Sequence, residues 1–339
     1  MDQVYARTVT ESLECVDSTL APAAISRVVQ GAYATRGSPT CELIQHNLDA
    51  TYVLAEQARR HLVRVYNARW WSLEEVLGEI EVLEQLEARG LRVAVATARK
   101  DGGRVTTVQA PEGPRQLVVY RYLEGDGLVP SRDARQFGEV VGRMHRALEG
   151  FVTAQRRREL TLPGLMQDSF DAVLAELSQE NEHRPYIESL RARVLARAEE
   201  LGVASFRLGF CHGDLNFSNA TRQADGQIAL YDFETCGRGI LAYDLGVFRW
   251  TQQSVGAPEH AWQDFIEGYR SENELPAREL AAMDLMVLLR QAYMLGHDAR
   301  RSSIGSLGTR WRHVLRPAKI VGLKALDAQL FGTELAPTW

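Results

Sequence analysis

Cysteine is scarce in this chain. The four present among 339 residues, Cys15, Cys41, Cys211 and Cys236, form no C-x-x-C pair. That excludes a disulfide-built scaffold and offers no zinc-ligand spacing. No stretch of about 18 consecutive apolar residues occurs, so no membrane-spanning helix is expected. The opening residues lack a basic segment followed by an apolar one, so no secretory signal is expected and the anticipated location is cytoplasmic. A basic surplus is missing too: 39 Lys and Arg face 44 Asp and Glu, a net charge of −5. A general nucleic-acid binder would carry the opposite balance. No internal repeat or low-complexity tract stands out. With 45% hydrophobic and 24% charged residues, the composition is ordinary for a globular protein, and the length fits two domains or one two-lobed domain.

Secondary-structure signals divide the chain in two. A helix is expected over Ala21 to Gln30, ended by Gly31. Short β-rich runs follow at Glu42–Gln45, Ala50–Leu54 and His61–Tyr66. From Ser72 to Arg89 apolar residues recur at three- and four-residue steps. Ser72 with Glu75 forms a capping-box signature, and Gly90 stands where a C-terminal glycine belongs. Strands are expected again at Val93–Ala96, Arg104–Ala110 and Gln116–Tyr122, separated by Asp-Gly-Gly and Pro-Glu-Gly-Pro turns. From Ser131 onward the pattern is mostly helical, apart from Arg207–His212 and Gln227–Phe233, which read as one hairpin. A cleft between the two parts is a common place for a ligand.

The most informative stretch is Phe210-Cys-His-Gly-Asp-Leu-Asn-Phe-Ser-Asn219, followed by Ala229-Leu-Tyr-Asp-Phe-Glu234. Its core, H-x-D-L-x-x-x-N and then D-F-x, has the spacing of a protein-kinase catalytic loop and metal-binding turn. Phosphoryl transfer needs a carboxylate to orient the attacking hydroxyl and accept its proton. It also needs hard oxygen ligands to hold Mg²⁺ against the nucleotide phosphates. Asp214 suits the first role, and Asn219 and Asp232 suit the second. Either triplet alone would serve as an ordinary turn or strand end. Both in order, after a β-rich part, point to catalysis.

These segments resemble the aminoglycoside phosphotransferase and choline kinase superfamily, which includes type II homoserine kinases and has a protein-kinase-like fold. The His-Gly-Asp form of the loop is typical of it. Phe137-Gly-Glu-Val-Val-Gly-Arg-Met-His145, Ala242-Tyr-Asp-Leu245 and Phe265-Ile-Glu-Gly-Tyr-Arg270 resemble further family segments in the right order. The resemblance implies a bilobal α+β fold: an antiparallel sheet lobe with one main helix over residues 1–122, binding the nucleotide, and a larger helical lobe over residues 123–339, carrying catalysis and the acceptor. It implies ATP and Mg²⁺ as cofactors, and Asp244 as a brace for the catalytic loop. It further implies a cation on the third strand paired with a helix glutamate. Arg64 stands at that strand position, alternating with Val63 and Val65, and Glu79 is its expected partner.

The phosphate loop departs from the common pattern. His46-Asn-Leu-Asp-Ala-Thr-Tyr52 contains no glycine, and the chain has neither a GxGxxG flap nor a Walker A motif. Asn47 and Thr51 are the expected phosphate contacts there, and adenine is expected against Tyr122-Leu-Glu124. His212 is expected to order its turn rather than act as a base, and Cys211 and Cys236 to be buried small residues. The acceptor is expected to be a small hydroxylated molecule, with no nucleic-acid or membrane partner; the oligomeric state stays open. Residues 290–319 hold seven bases (Arg290, Arg300, Arg301, Arg310, Arg312, Arg316, Lys319) against one acid, Asp298. Polycationic aminoglycosides would call for the opposite sign. The expectation is therefore a natural-product antibiotic that is not a polycation. Alternatives are a homoserine- or amino-alcohol-type metabolic kinase, a bacterial stress-type protein kinase (disfavoured by the lack of an APE-like end after Asp232), and a silent nucleotide-binding module.

Overall fold

The computed structural model describes residue 15 and residues 17–57, 59–304 and 316–332. Helix α1 (Pro22–Ala32) begins with a proline at its first position and runs on past Gly31, a little beyond the expected end. Strands β1 (Thr40–His46), β2 (Ala50–Glu56) and β3 (Arg59–Val65) follow, then helix α2 (Leu73–Ala88), then β4 (Val105–Ala110) and β5 (Gly113–Arg121). The five strands form one antiparallel sheet in the order β1-β2-β3-β5-β4. Helix α2 starts with a complete capping box: the Glu75 amide donates to Ser72 Oγ at 3.2 Å and the Ser72 amide donates to Glu75 Oε2 at 2.9 Å.

Strand alternation splits the apolar residues between two cores. Val63, Val65, Tyr52 and Leu54 pack with Ile25 and Val29 of α1 on one face of the sheet. Leu62, Val118 and Tyr120 face the other way, onto Val76, Ile80, Leu83 and Leu86 of α2, and join the main core. Arg64 shares that second face, which is why a buried cation can point from the sheet toward α2.

The expected strand at Val93–Ala96 is not one. It makes isolated bridges only, Val93 with Leu230 and Ala96 with Tyr120. Its backbone bonds go alternately to two separate sheets: Leu230 donates to the Arg92 carbonyl and Arg121 to the Val95 carbonyl. Without a continuous partner on either side, no ladder extends.

A short β6 (Asp126–Gly127) leads into α3 (Pro130–Ala147), and β7 (Arg158–Leu160) into a segmented helical stretch. That stretch comprises α4 (Leu162–Met166), a π-helical turn (Gln167–Asp171) and α5 (Ala172–Glu176). Helix α6 (Arg184–Glu200) precedes β8 (Leu208–Cys211), β9 (Ala220–Arg222), β10 (Ile228–Leu230) and β11 (Gly237–Ile240). The expected hairpin is re-paired. β10 pairs with β9, not with β8, and β8 pairs with β11, which in turn runs parallel to β7. Gly213, at φ +82°, turns the chain away immediately after β8, so the loop from His212 to Asn219 intervenes before the hairpin begins.

Helices α7 (Leu241–Ser254), α8 (Glu259–Glu272), α9 (Ala277–Leu280), α10 (Met283–Ile304) and α11 (Arg316–Phe331) complete the described chain. Helices α3 and α8 approach at backbone distance: a Cβ on Gly138 would lie 2.1 Å from the Phe265 carbonyl, and one on Gly268 1.9 Å from that of Arg135. Among the described residues no helix is long and apolar enough to cross a membrane.

Candidate active site

The loop from His212 to Asn219 hangs between β8 and β9, and a buried carboxylate holds it. Asp244, in the first turn of α7, accepts the His212 amide at 2.7 Å and the Gly213 amide at 2.8 Å. His145, near the end of α3, meets the same carboxylate through Nε2 at 3.0 Å, and its Nδ1 meets the Tyr269 hydroxyl of α8 at 3.0 Å. Three weakly informative segments, around His145, Asp244 and Tyr269, thus converge on one brace. His145, Cys211 and Asp244 place ligand-type atoms within 4.8 Å of one another, but both Asp244 oxygens are already engaged by backbone N–H groups. His212 orders the turn, as expected from the sequence: Nε2 lies 3.0 Å from the Tyr231 carbonyl, and Nδ1 accepts the Asp214 amide at 3.3 Å.

Asp214 faces two partners. Asn219 Nδ2 donates to its Oδ2 at 2.9 Å and to its carbonyl at 2.8 Å, which leaves the Asn219 carboxamide oxygen free of those bonds. Arg290 of α10 donates from Nη2 to Oδ1 and from Nη1 to the Gly213 carbonyl. Burial pushes the Asp214 carboxyl up, yet Arg290, His212 and the hydrogen bonds from Asn219 and Arg290 outweigh it, so the group sits below the usual carboxylate range. No sequence motif points to this role for Arg290. It stands 76 residues from Asp214, inside the basic tract of residues 290–319. Acids offset three of the seven bases of that tract: Arg290 is buried against Asp214, Arg300 meets Asp168 at 2.5 Å, and Lys319 meets Asp298 at 2.6 Å. Arg310 and Arg312 lie outside the described residues.

The register of the β9–β10 hairpin, Ala220 opposite Leu230, brings Asn219 alongside Tyr231, whose amide donates to the Asn219 carbonyl at 3.0 Å. Asp232 comes next, held at φ +67°. A non-glycine residue keeps that conformation only when its surroundings over-determine it. Arg64 supplies one such contact, donating to Asp232 Oδ1 at 2.8 Å and to Glu234 Oε2 at 3.1 Å. Its expected partner, Glu79, is also paired with it but farther off, Oε1 lying at 4.0 Å, while Glu79 Oε2 accepts the Tyr66 hydroxyl at 3.0 Å. Glu234 is a further site residue that sequence reasoning passed over, although it completes the Asp-Phe-Glu triplet. Burial pushes the Glu234 carboxyl well up, with Asp232, Asp49 and Glu79 adding to the effect and Arg64 opposing it. Burial likewise raises Asp49 and Glu79 against the pull of Arg64. One guanidinium therefore serves four carboxyl groups at the mouth of the site, an arrangement with room for a further cation.

A cleft of about 560 Å³ opens above this mouth. Arg64, Glu79, Thr51, Tyr122, Leu123, Asn219 and Asp232 all line it. Asn47 sits exposed at the tip of the β1–β2 turn, where its amide donates to the Asp49 carbonyl, and it is not among the lining residues. Glu124 turns outward to Arg60 at 2.8 Å, and Arg60 in turn covers the Tyr122 ring at 4.3 Å. Below the cleft, Arg157 fastens two elements together. Its guanidinium donates to the Glu75 carbonyl of α2 and to the carbonyls of Phe233, Glu234 and Cys236 in the turn after Asp232. Gly78 makes space for it: a Cβ there would lie 2.5 Å from Arg157 Cδ.

Residues 40–283 match the model of the phosphotransferase enzyme family. An uncharacterised protein of Deinococcus radiodurans is 32% identical over 297 residues, covering 86% of this chain and 86% of that one. Among solved structures, an amicoumacin kinase in complex with AMP-PNP, Ca²⁺ and Ami superposes with a TM-score of 0.71 at 18% identity, covering 94% of this chain and 95% of its own. A microcompartment-associated aminopropanol kinase gives 0.67 at 20% identity, covering 91% and 98%. With a bilobal α+β fold, a His-Gly-Asp loop braced from α7 and a family match across most of the chain, this protein belongs to the phosphotransferase enzyme family.

Proposed function

We propose that the protein transfers the γ-phosphate of ATP to a hydroxyl of a small molecule that is not a polycation, with residues 1–122 binding the nucleotide and residues 123–339 carrying catalysis and the acceptor. The observation that carries this reading is that Asn219, Asp232 and Arg64 line a single cleft, with Asp214 joined to it through the Asn219 side chain. Asp214 orients the acceptor hydroxyl and takes its proton. The bond between the γ-phosphorus and the β–γ bridging oxygen breaks, a bond to the acceptor oxygen forms, and ADP leaves. Asn219 and Asp232 offer hard oxygen atoms of the kind Mg²⁺ prefers, with Glu234 beside them, so this donor set fits the metal. Bound there, Mg²⁺ neutralises charge on the nucleotide phosphates. Arg64 is the phosphate-facing cation, Glu79 limits where it can point, and Thr51 and Tyr122 line the nucleotide side.

The likeness to a kinase of amicoumacin supports a natural-product antibiotic as the acceptor, inactivated by O-phosphorylation. The likeness to an aminopropanol kinase favours a second reading, a metabolic amino-alcohol or homoserine-type kinase. The test is incubation with ATP, Mg²⁺ and a panel of hydroxylated compounds, read by the mass of the phosphorylated product and by ADP release. Phosphorylation of a neutral or zwitterionic member supports the proposal. Efficient use of kanamycin-like polycations with all others ignored would overturn the acceptor class.

A further inference from the structure

One face of α10 carries Arg290, Tyr293, His297 and Arg300 at steps of three, four and three residues, so these side chains rise one above another. Arg290 marks where this face meets Asp214. The next turn brings Tyr293, 2% exposed, whose hydroxyl has no hydrogen-bond partner among the described residues. Burial raises that phenol, and of the charges that act on it, Arg158, Asp168, Arg300 and Arg290, Arg158 has the largest effect. Above the face lies Trp70, from the turn before α2. Its ring meets His297 edge-on at 5.0 Å, with the guanidinium carbons of Arg300 at 5.5 Å and Arg158 at 5.6 Å from its centroid. The Nε of Arg158 is buried and makes no hydrogen bond among the described residues.

Arg290 is met by Asp214 and Arg300 by Asp168, and Asp298, beside His297, is met by Lys319. Arg158 alone of the cations named on this face has no ion-pair partner among the described residues. Burial lowers His297, so it adds no positive charge of its own at neutral pH. The Arg158 guanidinium therefore lies unmatched beside a buried donor hydroxyl and an aromatic ring, on the helix face that begins at Asp214. Buried donors without partners are rare and each costs stability. A ligand that accepts hydrogen bonds and carries negative charge removes both deficits at once.

We propose that this face is the acceptor subsite, and that it selects a hydroxylated acceptor bearing an anionic group. Arg158, Arg300 and the Tyr293 hydroxyl clamp the anion, and Trp70 covers the carbon skeleton. The inference rests on the phosphotransferase reading above and specifies its substrate. The anion is a carboxylate or a phosphate monoester, and both present the oxygen pair that a guanidinium fork matches. On transfer, the acceptor hydroxyl gains the γ-phosphoryl group, its proton passes to Asp214, and the anionic group is unchanged.

The experiment uses the full chain with Mg-ATP and a matched set of short alcohols ending in a carboxylate, a phosphate monoester, a methyl ester or an ammonium group. Phosphorylation is read by product mass, and binding by tryptophan fluorescence. The expected result is turnover of one or both anionic members only, the two arms showing which anion is used. Arg158→Gln should raise the KM for that member about tenfold or more, as loss of a charged hydrogen bond implies, with kcat and Mg-ATP affinity much less affected. Tyr293→Phe should act in the same direction, and Arg158→Lys should restore part of the loss. Should Arg158→Gln fail to fold, the Tyr293→Phe and Arg158→Lys pair carries the test. Phosphorylation of the ammonium or ester members with the anions ignored overturns the subsite and leaves the kinase reading standing. Saturable binding of the anions, weakened by Arg158→Gln, with no member phosphorylated, supports the subsite and counts against the kinase reading. A KM untouched by both Arg158→Gln and Tyr293→Phe overturns the proposal.

Discussion

Replacing Arg290 by methionine should destabilise the protein in a way that depends on pH. The substitution keeps the buried aliphatic packing against Trp250 and Tyr293, whose rings lie 5.5 and 5.7 Å from the guanidinium, and removes the charge facing Asp214. Breaking a buried ion pair by deleting one partner typically costs about 3–5 kcal/mol. Here the Asp214 side chain is 30% exposed and keeps its Asn219 bond, so a smaller penalty, about 2–3 kcal/mol near neutral pH, is expected. In the wild type the folded carboxyl lies below its unfolded value. It therefore contributes stability above the unfolded pKa of about 3.9, and that contribution is lost as pH falls through the lower folded value. In the variant burial is opposed only by His212 and the Asn219 bond, so the folded carboxyl rises and the group's stabilising contribution above its unfolded pKa shrinks or reverses. The gap between the two proteins should widen with pH from the acid side to neutrality. Urea unfolding at a series of pH values measures it. A penalty that stays constant with pH, or stays under about 0.5 kcal/mol throughout, the scatter of ordinary surface substitutions, would refute the assignment of Arg290 as the charge that holds Asp214.

Asp214→Ala should abolish phosphoryl transfer while Mg-ATP still binds, because orienting the hydroxyl matters mainly in the transition state; Asp232→Ala should instead weaken Mg-ATP binding itself, and calorimetric titration of both variants separates the two roles. Gly268→Ala should lower the unfolding free energy by about 1–3 kcal/mol or more, since the new Cβ meets backbone rather than a movable side chain and α3 and α8 must part; an unchanged melting temperature would contradict the close approach. Burial pushes the Cys236 thiol up to about 12 and raises Cys211 as well. Native protein at mildly alkaline pH should therefore leave both unalkylated, and both should react once urea unfolds the chain.

What could be read from the sequence was local. The capping box at Ser72 and Glu75 is closed by residues three apart, so its whole physics sits in one short string. The His-Gly-Asp to Asp-Phe-Glu stretch was legible for a similar reason: one loop and one hairpin supply the acid, the amide and the second carboxylate. Strand partners were harder. Nothing in Leu208–Cys211 announces that it pairs with Gly237–Ile240, since that choice depends on how sharply Gly213 diverts the chain. The Val93–Ala96 run has strand-like side chains, yet its neighbours on either side belong to different sheets. Arg290 was hidden most deeply. The periodicity of α10 does not reveal which of its faces meets the catalytic loop, and a guanidinium neutralised by a distant carboxylate reads, along the chain, as one more surface charge.

Arg157 has a mechanical consequence. Its one guanidinium ties the first turn of α2 to the peptide carbonyls that follow Asp232, and Thr153 adds a bond to Glu81 of the same helix. By position in the chain α2 travels with the five-stranded sheet, but by attachment it is fastened to the helical body beneath the cleft. The sheet grips α2 from its other side, through the packing of Leu62, Val118 and Tyr120 on Val76, Ile80 and Leu83 and through the ion pairs of Arg104 with Glu84 and Arg121 with Glu87. Helix α2 is thus a splice between the two halves of the chain, and Arg64, reaching from the sheet to Asp232 and Glu234, is a further tie across the same joint.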